Sequence, residues 1–236
     1  MENHTGVLHS SLRLAVALTL TLFVFPIGLH AQFTVDCSGN DPFAYPSINS
    51  ALQNAGPGSS AIVEAGPCTE DIYVQGLNGL SLGALWGNTM DLHGLISISD
   101  SQTVYLYGLN VTSASGNGIT IANSRVTVDA CTSTGNPGMG LQVQGLSDVS
   151  VIAPGAFDNN AGGGINVSDN SLVTLLAWNG SSFDSSNNIG SGVYLGRGSF
   201  TSLGNTTIAN NTFGSPVNPG LGVDPCKKSK DGAPCA

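Results

Sequence analysis

The stretch "GNGITIANSRVTV", Gly116 to Val128, decides the fold. It sets Ile119 and Ile121 two residues apart, then Val126 and Val128 two apart, with glycines ahead of the first pair and Asn123-Ser124 between the pairs. Such alternation is the period of a strand with one buried face. Outward from it, first pairs recur as Ile72 and Val74, Ile96 and Ile98, Leu141 and Val143, Ile165 and Val167, and Val193 and Leu195. Their leading members, Ile119 included, lie 24, 23, 22, 24 and 28 residues apart. A second pair follows each at an offset of seven or eight residues: Leu80 and Leu82, Val104 and Leu106, Val149 and Val151, Val173 and Leu175, with Phe200 opening a poorer sixth.

One such unit has too little apolar surface to fold alone, so neighbouring units must stack to close a core. The Gly and Asn between the pairs exclude a helix. Two short strands, a third looser stretch and turns make one coil, and strands of successive coils then pair in parallel at ~4.8 Å. The expected fold is a single all-β domain, a single-stranded right-handed parallel β-helix of about six or seven coils, since the hexapeptide steps of a left-handed one are absent. Gly118, Gly140, Gly164 and Gly192 each precede a first strand, where positive φ or close backbone approach is expected. Asn136, Asn160 and Asn188 each lie five residues before a strand and are expected to stack their amides along the axis.

A coil stack has open ends that recruit other chains unless covered. In "YPSINSALQNAGPG", Ser47 is placed to cap a lid helix with Ile48, Ala51, Leu52 and Ala55 on one face, stopped by Gly56-Pro57. The chain thus divides into a leader (1–31), an N-terminal cap with the lid helix (32–60), the β-helix (61–213) and a Pro- and Gly-rich tail (214–236). The leader has Arg13, the apolar run "LAVALTLTLFVF" and "LHA" before Gln32, which reads as an export signal cleaved after Ala31, with an uncleaved N-terminal anchor as the alternative. The apolar run is short for a membrane span. Either reading makes the remainder secreted, periplasmic or cell-surface.

Export permits cystines. Cys37 and Cys68 flank the N-terminal segment and Cys226 and Cys235 bracket the tail, so each couple is expected to pair, leaving Cys131 as a small buried hydrophobe. Six Lys and Arg against fifteen Asp and Glu give a net charge of −9, and Arg125 and Arg197 are the only such cations between the leader and the tail. Phosphate recognition needs clustered cations, so no nucleic-acid partner is expected. No Cys or His spacing suggests a metal site.

The run "YPSINSALQNAGPGSSAIVEAGPCTEDIYV" and the coils after it resemble exported right-handed β-helix proteins of the pectin-lyase-like superfamily, in particular uncharacterised bacterial members with a Cys before the lid helix and "Cys-Thr-Glu" after it. The resemblance covers residues 35 to 213. It implies the fold; the superfamily spans polysaccharide lyases, glycoside hydrolases, esterases, epimerases, tailspikes and non-catalytic surface proteins. Its lyases use an Arg or Lys base with carboxylates, often through calcium. Its polygalacturonase-like hydrolases carry clustered Asp, Gly-His-Gly and Arg-x-Lys, none of which is present here.

Two surface columns are candidates. Asp100, Asn123, Gly145, Asp169 and Arg197 each lie four residues past a leading apolar position. Asp169 and Arg197 would be axial neighbours, either a solvent-exposed pair or a minimal catalytic site, with calcium as cofactor only if the protein is a lyase. The outward residues of the first strands are Tyr73, Ser97, Thr120, Gln142, Asn166 and Tyr194. Amides flanked by tyrosines suit a sugar chain, with Tyr73, Gln142, Asn166 and Tyr194 as its contacts, and a merely wetted sheet face is the alternative. Tyr105 with Trp178 is a lesser patch, and Asp91 with His93 in "MDLHG" reads as a turn. Two function classes follow: a non-catalytic exported protein that binds a polysaccharide or cell-surface glycan or builds a surface matrix, and a lyase or hydrolase acting on acidic polysaccharide.

Overall fold

The computed structural model describes residues 31–112, 115–177, 180–196 and 198–212. They form a right-handed parallel β-helix of about seven turns. Sheet A has eight strands, from Gln32–Asp36 to Phe200–Ser202; sheet B has six, from Met90–His93 to Thr206–Thr207; sheet C has six, from Ile72–Gln75 to Ser191–Leu195. Each turn of chain visits C, then A, then B, and lands on C again one strand further along. The third stretch of the repeat is therefore a strand too. Three of its strands, Gly155–Ala156, Phe183–Asp184 and Thr206–Thr207, are only two residues long, too short to show an alternation in the sequence.

The leading apolar residues stack without a slip. Ile72, Ile96, Ile119, Leu141, Ile165 and Val193 are register partners down sheet C, and all are buried. Leu82, Leu106, Val128, Val151 and Leu175 do the same down sheet A. Each such aliphatic side chain contributes ~1.5–3 kcal/mol by leaving water, so the repeat of the sequence becomes one continuous core.

At the start, Gln32–Asp36 pairs with Ser60–Ala65, so the edge of sheet A lies ahead of the segment expected to hold a lid. That segment contains a single helical turn, Ile48–Leu52, with Ile48 and Ala51 buried. Ser47 caps it: its hydroxyl accepts from Ser50 N at 3.1 Å, and Glu70 from the next rung accepts from Ile48 N at 2.6 Å and Asn49 N at 3.0 Å. Cys37 and Cys68 are bonded, as expected. The Cys226–Cys235 pair and the leader lie outside the described residues.

Two internal ladders fix the corners. From B to C, Asn136, Asn160 and Asn188 are buried and linked: Asn136 Nδ2 donates to Asn160 Oδ1 (2.9 Å) and Asn160 Nδ2 to Asn188 Oδ1 (3.2 Å). Asn188 Nδ2 donates onward to Asn211 Oδ1 (2.9 Å), a fourth rung. From C to A the ladder is serine. Ser124 Oγ accepts from Ser101 N (3.0 Å), Ser147 Oγ from Ser124 N (3.2 Å) and Ser171 Oγ from Ser147 N (3.1 Å), and these hydroxyls are buried. Each satisfies a backbone N–H that the corner would otherwise orphan.

The glycines before the first strands allow close approach at the corner from sheet B rather than left-handed turns. Gly118, Gly140, Gly164 and Gly192 all lack positive φ. A Cβ on Gly140 would stand 2.6 Å from Asn160 Nδ2, and one on Gly192 2.5 Å from Asn211 Nδ2. Close approach is thus the reason for these glycines. Positive φ falls elsewhere, at Asp100 (51°), Asn123 (49°), Gly145 (67°) and Asp169 (57°), the column considered above as a site. Asp, Asn and Gly are the residue types that tolerate that conformation, so the column's composition has a backbone cause.

Candidate functional site

Sheet C presents its outward residues as one column. Tyr73, Ser97, Thr120, Gln142, Asn166 and Tyr194 are register partners in that order. At ~4.8 Å per strand the two tyrosines stand ~24 Å apart. Tyr73 is 63% exposed and Tyr194 38% exposed. The polar residues between them are pre-oriented by a network that sequence reading did not find. Asn117, from the preceding corner, donates to Gln142 Oε1 and to Thr120 Oγ1 (3.3 Å) and accepts from Met139 N (2.8 Å). Gln142 Nε2 donates to Gln144 Oε1 at 2.8 Å. Asn166 Oδ1 is enclosed and accepts no hydrogen bond.

Asp169 sits exposed in its left-handed turn, where its Oδ2 accepts from Ser168 Oγ at 3.2 Å. Arg197 and Trp178 lie outside the described residues. Among the described residues the ion pair present is a different one, Arg125 Nε to Asp148 Oδ2 at 3.6 Å, between register partners on the outer face of sheet A. Exposed to this degree, it contributes ~0–1 kcal/mol.

Sheet B carries two further groups. Asp91 and His93 lie on a strand, not a turn. Asp91 Oδ1 accepts from Asn110 Nδ2 (3.0 Å), Asn110 Oδ1 accepts from Thr132 Oγ1 (2.9 Å), and His93 Nδ1 meets Thr112 Oγ1 at 3.1 Å. Three turns on, Asp158 and Asp184 lie on adjacent coils, Asp184 opposite Ala156, and each has one enclosed Oδ1 without a hydrogen-bond partner. Burial, and secondly the charge of Asp184, push the Asp158 carboxyl above the usual carboxylate range. The sequence alone does not suggest this pair because its members are 26 residues apart, a spacing that becomes proximity only when the turn is counted.

Cys131 is fully buried with Sγ 3.2 Å from Asp129 O, and burial pushes its thiol up to about 12, so it is inert as expected. The one metal-type grouping among the described residues is Cys37, Cys68 and Glu70. Its sulfurs are bonded to each other and both Glu70 oxygens are held by the helix N–H groups, so it offers no ligand set. Among the described residues, no helix is long and apolar enough to cross a membrane.

Residues 88–224 match the family model described as "right handed beta helix region". No curated protein and no solved structure matches the chain. The matched span is more than half of the sequence and takes in the described coils from residue 88 to residue 212; the chain belongs to the right-handed β-helix family, consistent with the pectin-lyase-like superfamily it resembles.

Proposed function

We propose that this is an exported, non-catalytic β-helix protein that binds a glycan chain along the outer face of sheet C. One observation carries the reading: an unbroken column of amides and hydroxyls, aromatic at both ends and oriented by the Asn117–Gln142–Gln144 network. Sugar hydroxyls pair with amides while C–H faces stack on tyrosine rings. The test is a glycan array probed with the full chain and with a Tyr73→Ala, Tyr194→Ala double variant. Retention that drops at least tenfold in the variant supports the reading; equal retention overturns sheet C as the site.

The second reading is a carbohydrate-active enzyme acting on acidic polysaccharide. Asp158 favours it, because a carboxyl with a raised pKa beside a second carboxylate is the pattern of a general acid and its partner. Incubation with polyuronates, with and without calcium, followed by unsaturated-product absorbance and new reducing ends, decides between the two. Turnover lost in Asp158→Asn would replace the binding reading with this one.

A further inference from the structure

We infer that the outer face of sheet A carries a second saccharide site, built on Trp86 and selective for neutral sugar chains; it rests on the glycan-binding reading but not on sheet C. Trp86 is 74% exposed, yet it is not loose. Its ring stacks on Tyr107 with centroids 5.5 Å apart and planes 23° apart, and Tyr107 stacks in turn on Tyr105 at 5.5 Å and 29°. Tyr107 can lie flat because its register partner is Gly83, where a Cβ would stand 2.6 Å from the ring. Tyr105 is tied down by donating its hydroxyl to Asp129. Covering Gly83 requires Tyr107 alone, which is 8% exposed. Trp86 adds a further ring, backed on one face and open to water, which core packing does not explain. A rigid indole with an open face matches the C–H face of a pyranose and loses little entropy on binding.

The surroundings select the sugar. The Trp86 turn, closed by Asn88 N donating to Leu85 O at 2.9 Å, borders a cleft of about 140 Å³ whose polar wall includes Glu64, Asn88 and Asp91. With Asp129 at the tyrosine end, every ionisable carboxylate beside this strip is an acceptor suited to hydroxyl donors and repulsive to a uronate. Arg125, the single Arg or Lys among the described residues, is engaged with Asp148. A neutral polysaccharide therefore fits and a polyuronate does not.

The experiment is affinity electrophoresis of the full chain in gels containing a neutral β-glucan, a galactomannan or polygalacturonate, with tryptophan fluorescence read on titration with cellohexaose. The wild type is expected to be retarded by a neutral polymer and to show a fluorescence shift; Trp86→Ala is expected to weaken retardation at least tenfold with an unchanged melting temperature. The Tyr73→Ala, Tyr194→Ala variant separates the two sites. If it loses retardation while Trp86→Ala does not, this inference is overturned and the sheet C reading stands. Retardation by polygalacturonate alone overturns the ligand class, and no retardation by either neutral polymer overturns this inference while the array decides the sheet C reading separately.

Discussion

The corner between sheets B and C is built in two different ways along its length. In the first turns it is held by a disulfide and by carboxylates: Cys37–Cys68, Glu70 on the helix N–H groups, and Asp71 Oδ1 accepting from Leu95 N at 2.9 Å. In the later turns it is held by uncharged amides, Asn136, Asn160, Asn188 and Asn211, passing hydrogen bonds from coil to coil. The backbone problem is the same in both. A ladder needs a neighbour on each side, and the first coil has only one, so there a cross-link and local carboxylates replace it. Deep in the stack, a buried charge would need a partner at every rung, whereas an amide both donates and accepts.

The largest expected effect is at the start of the stack. Replacing Cys37 and Cys68 by Ala reopens a 31-residue separation, which costs about 3.5 kcal/mol on the chain-entropy account, and hydrogen exchange should show that the loss is concentrated in residues 32–75. Equal loosening of the last coils would break the comparison. Next, Asn160→Ala removes the Asn160 Oδ1 acceptor of Asn136 N and Asn136 Nδ2 and the Asn160 Nδ2 donor to Ser133 O; denaturant unfolding should show a loss of about 3 kcal/mol. Asp71→Ala, at the more exposed carboxylate corner, removes one acceptor and should cost about 1 kcal/mol, a contrast that sharpens the distinction between the two designs.

The smallest effect has a definite sign. The Asp158 carboxyl is raised in the folded state, chiefly by burial, so the folded chain holds that proton more tightly than the unfolded one. Its stabilising contribution is complete below the ordinary carboxylate pKa and is lost as pH rises through the raised value. At pH 7 the ionised group is a burden, discounted because it is partly solvated. Asp158→Asn should therefore be more stable than the wild type at neutral pH by less than about 1 kcal/mol, with the difference gone by about pH 3. Thermal melts across that range check it, and a less stable variant at pH 7 would show that the pair is stabilising.

The coil stack was legible because Ile72, Ile96 and Ile119 keep step with a second column, and two periodic signals admit one geometry. Asn136, Asn160 and Asn188 were legible for the same reason. Asn211 was not, because no apolar pair follows it to set the count. The serine ladder was spaced just as regularly, Ser101, Ser124, Ser147 and Ser171, yet serine is so common in turns that its burial is seen only in three dimensions. Trp86 carries no periodic signal because it falls in the turn between Ser81–Ala84 and Met90–His93, outside both apolar columns. The site candidates divided likewise: the sheet C column follows from alternation, while the contacts that orient it come from Asn117, a corner residue outside any period.

The serine hydroxyls also give the cylinder a direction of growth. Ser101, Ser124 and Ser147 each hand their amide proton to the hydroxyl of the following coil, never to the one before. A whole coil excised from the middle leaves ends that still match, since donor and acceptor are identical at each cut. Removing a terminal coil instead leaves the neighbouring corner one hydrogen-bond partner short, so the repeat number can change in evolution most cheaply by internal duplication.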